Sequence, residues 1–187
     1  MLQSQLDHIC KDDNIQYRLI GSSLGGYIAA LLYQQQQLSS HTNNNKHNNN
    51  IDSLILLCPA FDASNRWNNR MTTDEILQWK QQGTKSYYNY NTQSNELLNY
   101  TFYDDLLKYT AFPIVQCPVT IIHGKHDDVV PIDSSRHYNE LLKQNNNNNV
   151  KLIEVDDDHS LMKPKTIDII KHTIDEMWFT NAWSNSL

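Results

Sequence analysis

"LIGSSLGGYIAALL", residues 19–32, runs an apolar segment through a glycine–serine turn into a helix of small residues. The centre of the turn is Gly21-Ser22-Ser23-Leu24-Gly25, a G-x-S-x-G pattern. A strand that enters a helix through one tight turn forces the central residue into a strained conformation. Side chains two positions before and after it would collide, and glycine stands at both. Such a turn presents the Ser23 hydroxyl at the carboxyl edge of a sheet. It also leaves the Leu24 N–H, at the helix start, facing any negative charge that develops beside the serine. An ordinary turn capping the helix, with Ser22 or Ser23 as N-cap, is the plain alternative.

The rest of the chain supports a sheet around this turn. "IQYRLIG" (15–21), "IDSLILLC" (51–58), "PVTIIHG" (118–124) and "VKLIEV" (150–155) read as continuous apolar strands. Helical patterns alternate with them, at 24–34, 133–143 and 165–179. Apolar strands alternating with helices imply an α/β fold, a parallel sheet covered on both faces. The stretch 60–116 interrupts the alternation. It is rich in Tyr, Trp and Asn, and helices are expected near 73–82 and 103–110, with strand-like pieces near 86–90. It reads as a cap-like insertion. Its aromatics, Trp67, Trp79, Tyr87 and Tyr88 among them, suit either a small core of their own or a pocket wall.

Low-complexity tracts, "QQQQ" (34–37), "NNNKHNNN" (43–50) and "QNNNNN" (144–149), fall between helices and strands. They bury no apolar surface, so 39–50 and 144–149 read as mobile, tolerated loop expansions. With 187 residues in all, 1–187 reads as one domain.

Two further motifs lie where parallel strands end. In "IIHGKHDDVVPIDSSRHY" (121–138), Asp127 or Asp128 can orient a histidine, and the H-G-x-x-D spacing favours Asp127. His123 closes the strand and is expected to bond locally, and His126 to be a loop residue. In "EVDDDHSLMKP" (154–164), His159 follows the last strand, above the same edge as Ser23. Asp156, Asp157 and Asp158 read as a solvated acidic turn and not as a metal site. The order Ser23, Asp127, His159 is that of α/β-hydrolases. In such a triad His159 takes the Ser23 proton, and Asp127 holds the imidazole and stabilises its charged form.

Net charge of −6 and the absence of a basic patch give no reason to expect nucleic acid or an anionic membrane. No apolar run approaches the ~18 residues of a membrane helix, and the N-terminus lacks the pattern of a secretory signal. Cys10, Cys58 and Cys117 are odd in number and widely spaced, which suits buried thiols in a reducing, cytoplasmic setting.

These segments resemble the YqiA/YcfP-type esterases of α/β-hydrolase fold: "LIGSSLGGYIAALL", "LILLCPAFD" followed by "RW", the "ILQWKQQG…YYNY" insert, "PVTIIHGKHDDVVPIDSSRHY" and "VKLIEVDDDHSL". The resemblance covers most of the chain outside the Asn and Gln tracts. It implies a serine hydrolase of carboxylic esters or thioesters with Ser23, Asp127 and His159 as triad and the Leu24 N–H in the oxyanion hole. It requires no metal or organic cofactor. Its partner is a small acyl ester or thioester. Members of the fold carry earlier strands and an H-G loop before the nucleophile turn, and here the sequence reaches that turn at once. A partial α/β-hydrolase fold lacking the first strands is therefore expected, from a fragment, a gene-model error or real loss. One sheet edge is expected to be unpaired and open to self-association. The competing expectation is a weak or inactive homologue that serves as a binding protein.

Overall fold

Strands β2 (Ile51–Leu57) and β5 (Val119–Gly124) are the two most deeply buried, and they form the middle of the sheet. β5 is buried at all six positions. β1 (Tyr17–Ser22) and β6 (Val150–Val155) flank them in the order β1-β2-β5-β6. All three pairings are parallel, with Ile20 opposite Ile55, Leu57 opposite Ile122, and Ile122 opposite Ile153. β1, at one end of that order among the described residues, alternates half-buried and exposed residues. The computed structural model describes residues 15–42, 50–89 and 93–179, and Cys10 lies outside them.

Helices cover both faces. α1 (Leu24–Thr42) packs on β1 and β2. In the insert come α2 (Ala63–Arg70), α3 (Thr73–Gln82) and α4 (Tyr100–Leu106). α5 (Ile132–Gln144) packs on β5 and β6, and α6 (Pro164–Trp178) closes the chain. Alternation along β5 sends Ile122 and His123 to opposite faces. Ile122 joins Cys58, Val155 and Leu161, with Ile169 and Ile170 of α6 against them. His123 faces α5, where it meets Ser135. The main unit is thus a parallel sheet between helices, the α/β architecture that the alternation of apolar strands and helical patterns implies. Among the described residues no helix is long and apolar enough to cross a membrane.

The chain divides into two compact units, Asp62–Ala111 and the remainder. The insert holds an antiparallel hairpin of β3 (Thr84–Asn89) and β4 (Ser94–Asn99) beside its helices. Its aromatics pack on one another. Trp79 is 1% exposed, with ring centroids 5.4 Å from Trp67, 5.6 Å from Tyr100 and 5.6 Å from Tyr103. The Trp79 indole N–H donates to the Leu98 carbonyl at 3.1 Å, so its one polar atom is satisfied. α3 opens on a capping box between Thr72 and Glu75.

Four details differ from the sequence reading. The glutamines at 34–37 are not a mobile loop. They continue α1 to Thr42, because glutamine is a good helix former and the helix is already nucleated. Of the expected loop 39–50, residues 39–42 are therefore helical, and 43–49 lie outside the described residues. The helix expected at 103–110 begins at Tyr100, since the Asn99 side chain caps it by accepting the Thr101 N–H. Within 144–149, Asn147 is buried. Its amide donates to the carbonyls of Val115 (3.0 Å) and Cys117 (2.9 Å), so it pins the approach to β5 and is no passive spacer.

Candidate active site

The turn after β1 bends sharply at Ser23, whose positive φ places it in the left-handed region, unusual outside glycine. Backbone bonds to the end of β2 and to the loop after it hold it there. The Ser23 N–H donates to the Leu57 carbonyl at 2.8 Å, and the Ser23 carbonyl accepts from Ala60 N–H at 2.8 Å. Leu24 begins α1, so its N–H is one of those with no acceptor inside the helix. Gly21 is required by close approach: a Cβ there would stand 2.4 Å from the Gly25 carbonyl oxygen. The steric reason expected for Gly25 fails, because a Cβ at Gly25 meets nothing within 4 Å. The tight helix position comes one residue later, at Gly26, where a Cβ would stand 3.0 Å from Pro59 Cβ. Ser22 ends β1 and is exposed.

His159 lies between β6 and α6, in a loop built on buried polar contacts. The Asp157 side chain accepts the N–H groups of Asp158 and Lys163, both at 2.9 Å. Burial works to raise the Asp157 pKa, yet these bonds and one with Thr166 outweigh it and hold the carboxyl below its ordinary value. Asp157 is 2% exposed, which corrects the reading of 156–158 as a wholly solvated turn: backbone donors in the loop draw the middle carboxylate inward. Asp156 stays exposed and pairs with His126 (2.7 Å) and Lys163 (3.3 Å). Gly124 lets this loop lie on the end of β5, since a Cβ there would be 2.5 Å from the carbonyl oxygens of Asp157 and Asp158. That is the reason for the glycine in H-G-x-x-D.

The Asp127 side chain is fully buried, while Asp128 is exposed. Asp127 Oδ1 accepts the N–H groups of Val129 (2.9 Å) and Val130 (2.7 Å). Its Oδ2 lies 2.7 Å from His159 Nδ1 and 3.1 Å from His123 Nε2. Burial alone would raise the Asp127 pKa. The bonds from His123, His159 and Val130, with the charge of His159, reverse that and hold the carboxyl well below the usual carboxylate range. The other end of the His159 ring, Nε2, is 3.1 Å from Ser23 Oγ. Ser23, His159 and Asp127 therefore meet in one hydrogen-bonded line, although 136 residues separate Ser23 from His159 in sequence. A carboxylate fixed on one imidazole nitrogen and a hydroxyl on the other is an arrangement that can move a proton off the hydroxyl.

The sequence marks His123 only as a local contact and gives Cys58 no part in this region. Both adjoin Asp127. Cys58 is fully buried and also has a positive φ. Burial foremost, then Asp127, pushes its thiol pKa up to about 12, so it is a neutral thiol. Cys58, His123 and Asp127 offer ligand atoms within 4.8 Å of one another. The Asp127 oxygens and His123 Nε2 are, however, already engaged in hydrogen bonds. The chemistry of the set is that of a hydrogen-bonded network.

The profile of the prolyl oligopeptidase family matches residues 54–186, a span that contains Asp127 and His159 and begins after Ser23. No curated protein matches the sequence. Solved structures match over 94% of the chain. One is a putative hydrolase from Agrobacterium vitis (24% identity, TM-score 0.70), and 65% of its length is covered. A second is mouse alpha/beta hydrolase domain-containing protein 10 (20% identity, TM-score 0.70, 66% covered). A third is a monoacylglycerol lipase from Paleococcus ferrophilus (16% identity, TM-score 0.64, 74% covered). The chain thus spans just under two thirds of the length of the first two.

Proposed function

For a chain that belongs to the prolyl oligopeptidase family and has an α/β-hydrolase fold, we propose a serine hydrolase of small carboxylic esters or thioesters, of the YqiA/YcfP esterase type. One observation carries this reading: the His159 ring lies between Ser23 Oγ (3.1 Å) and Asp127 Oδ2 (2.7 Å). In the proposed reaction Ser23 Oγ attacks the acyl carbonyl while His159 Nε2 takes its proton. Asp127 keeps Nδ1 protonated and stabilises the imidazolium. The Leu24 N–H donates to the tetrahedral oxyanion. Collapse breaks the bond to the alcohol or thiol, which leaves with the proton from His159. Water then attacks the acyl-Ser23 carbonyl with His159 again as base, releasing the acid and regenerating the serine.

The buried free thiols Cys58 and Cys117 suit a reducing cytoplasm. The family name favours a second reading, cleavage of peptide bonds, by the same three residues. Turnover of p-nitrophenyl acyl esters, acyl thioesters and aminoacyl-proline anilides separates the two. Ester or thioester turnover that disappears in Ser23→Ala is expected. Anilide turnover alone would favour the peptidase reading, and turnover of none would favour a homologue that only binds.

A further inference from the structure

We propose that His123 is a positioning residue for Asp127, the buried counterpart of His159, and that Ser135 fixes it in turn; this rests on the serine-hydrolase reading above. His123 is fully buried on the α5 face of β5, and the reaction as written does not use it. Its Nε2 lies 3.1 Å from Asp127 Oδ2 and 2.9 Å from the Val130 carbonyl. Both are acceptors, so Nε2 carries the hydrogen and shares it between them. Nδ1 is then the acceptor, 2.7 Å from Ser135 Oγ, and the Ser135 hydroxyl donates to it. A line of hydrogen bonds runs Ser135–His123–Asp127–His159–Ser23, with Asp127 at its centre.

An ionised carboxylate has about four lone-pair sites. At Asp127 all four are matched: two backbone N–H groups on Oδ1 and one imidazole on each side of Oδ2. Without His123, Oδ2 would lose its buried imidazole donor and keep only the weak Cys58 thiol on that side. The carboxylate could then rock, and its charge would concentrate on the bond to His159. A more basic partner holds the imidazolium of His159 more tightly. His123 therefore sets both the aim and the strength of the acid.

The other groups facing His123 are accounted for. Cys58 is a neutral thiol beside Asp127. Glu154, its register partner on β6, is paired with Arg136 through two bonds of 2.7 and 2.8 Å. The bonds and charge of Arg136 foremost, then the charges of Lys125 and His123, hold the Glu154 carboxyl below its usual value, so Arg136 balances most of its charge.

The test compares kcat/KM against pH for p-nitrophenyl butyrate in the parent, His123→Leu, His123→Gln, Ser135→Ala and Ser23→Ala proteins, with Tm for each. His123→Leu is expected to lose about tenfold in kcat/KM. It is also expected to move the acid limb of the profile upward by about half a unit to one unit. Glutamine can return an N–H to Asp127 and should restore both. Ser135→Ala, which removes one oxygen, should shift the limb in the same sense by less, and it carries the test if His123→Leu does not fold. A role confined to folding would lower Tm and leave the limb in place. Ser23-dependent turnover with an unmoved limb in His123→Leu, or in Ser135→Ala where the former is unfolded, overturns the inference alone. Turnover that survives in Ser23→Ala, or none in the parent, overturns the hydrolase reading and this inference with it.

Discussion

The loops at the carboxyl edge of the main sheet and the aromatic insert at Asp62–Ala111 are built on different physical terms. At the sheet edge the backbone is left-handed at Ser23, Cys58 and Leu161. Each such residue costs about 1–3 kcal/mol. Polar side chains there are buried and saturated: Asp127, Asp157 and His123 all bond inside the protein. Among the described residues of the insert, left-handed non-glycine residues stand only at its entry, Asp62, and at Gln93 before β4. Its interior is ring against ring around Trp79. One region spends stability to hold polar groups in fixed directions, and the other gains stability from apolar area. The lesson is that strain together with satisfied buried polar groups marks the place where direction matters.

Substitutions can break that comparison, and the largest effect belongs at the sheet edge. His159→Ala should reduce ester turnover by about 10⁴–10⁶-fold, read by steady-state kinetics, with a minor change in Tm. Trp79→Ala should do the reverse kind of damage, a loss of about 3–5 kcal/mol in urea unfolding of the insert, followed by near-ultraviolet circular dichroism. Gly124→Ala forces a Cβ to within 2.5 Å of two carbonyls under His159. It should cost about 1–3 kcal/mol by thermal unfolding and depress turnover with it.

A pH series sharpens the same contrast. Asp127 has a depressed folded pKa, so its stabilising contribution is full above its unfolded value of about 3.9. That contribution is lost as pH falls through the lower folded value. The Tm difference between the parent and Asp127→Asn should therefore be widest at neutral pH and narrow below about pH 4. A gap that widens in acid would reverse the sign. The smallest effect is at Gly25, where a Cβ meets open space. Gly25→Ala should be neutral or stabilise by up to about 1 kcal/mol in thermal melts, whereas Gly21→Ala, 2.4 Å from a carbonyl, should destabilise.

Much of the main sheet was legible because period and punctuation agree there. Continuous apolar runs ended at glycine or proline mark β2 and β5, and Gly21 marks the end of β1. Ser23, Asp127 and His159 were legible as candidates because each follows a strand, at the edge where parallel strands point their loops. Their distances were not. Nor were the four bonds on Asp127, since Val129, Val130 and His123 reach it through loop geometry that no periodicity encodes. Composition misled at the tracts. Gln34 to Gln37 are polar but helical, and Asn147 is polar but buried against two carbonyls. In the insert, the short polar strand β4 and helix α2 have no apolar period to announce them, and pairing within the unit decides them.

The central claim is that Ser23 is the nucleophile. Its most direct test is reaction with an alkyl fluorophosphonate, followed by peptide mass spectrometry. The account predicts one phosphonyl adduct, on the peptide that contains Ser23, and its loss in Ser23→Ala. An adduct on another residue, or labelling unchanged in Ser23→Ala, would contradict it.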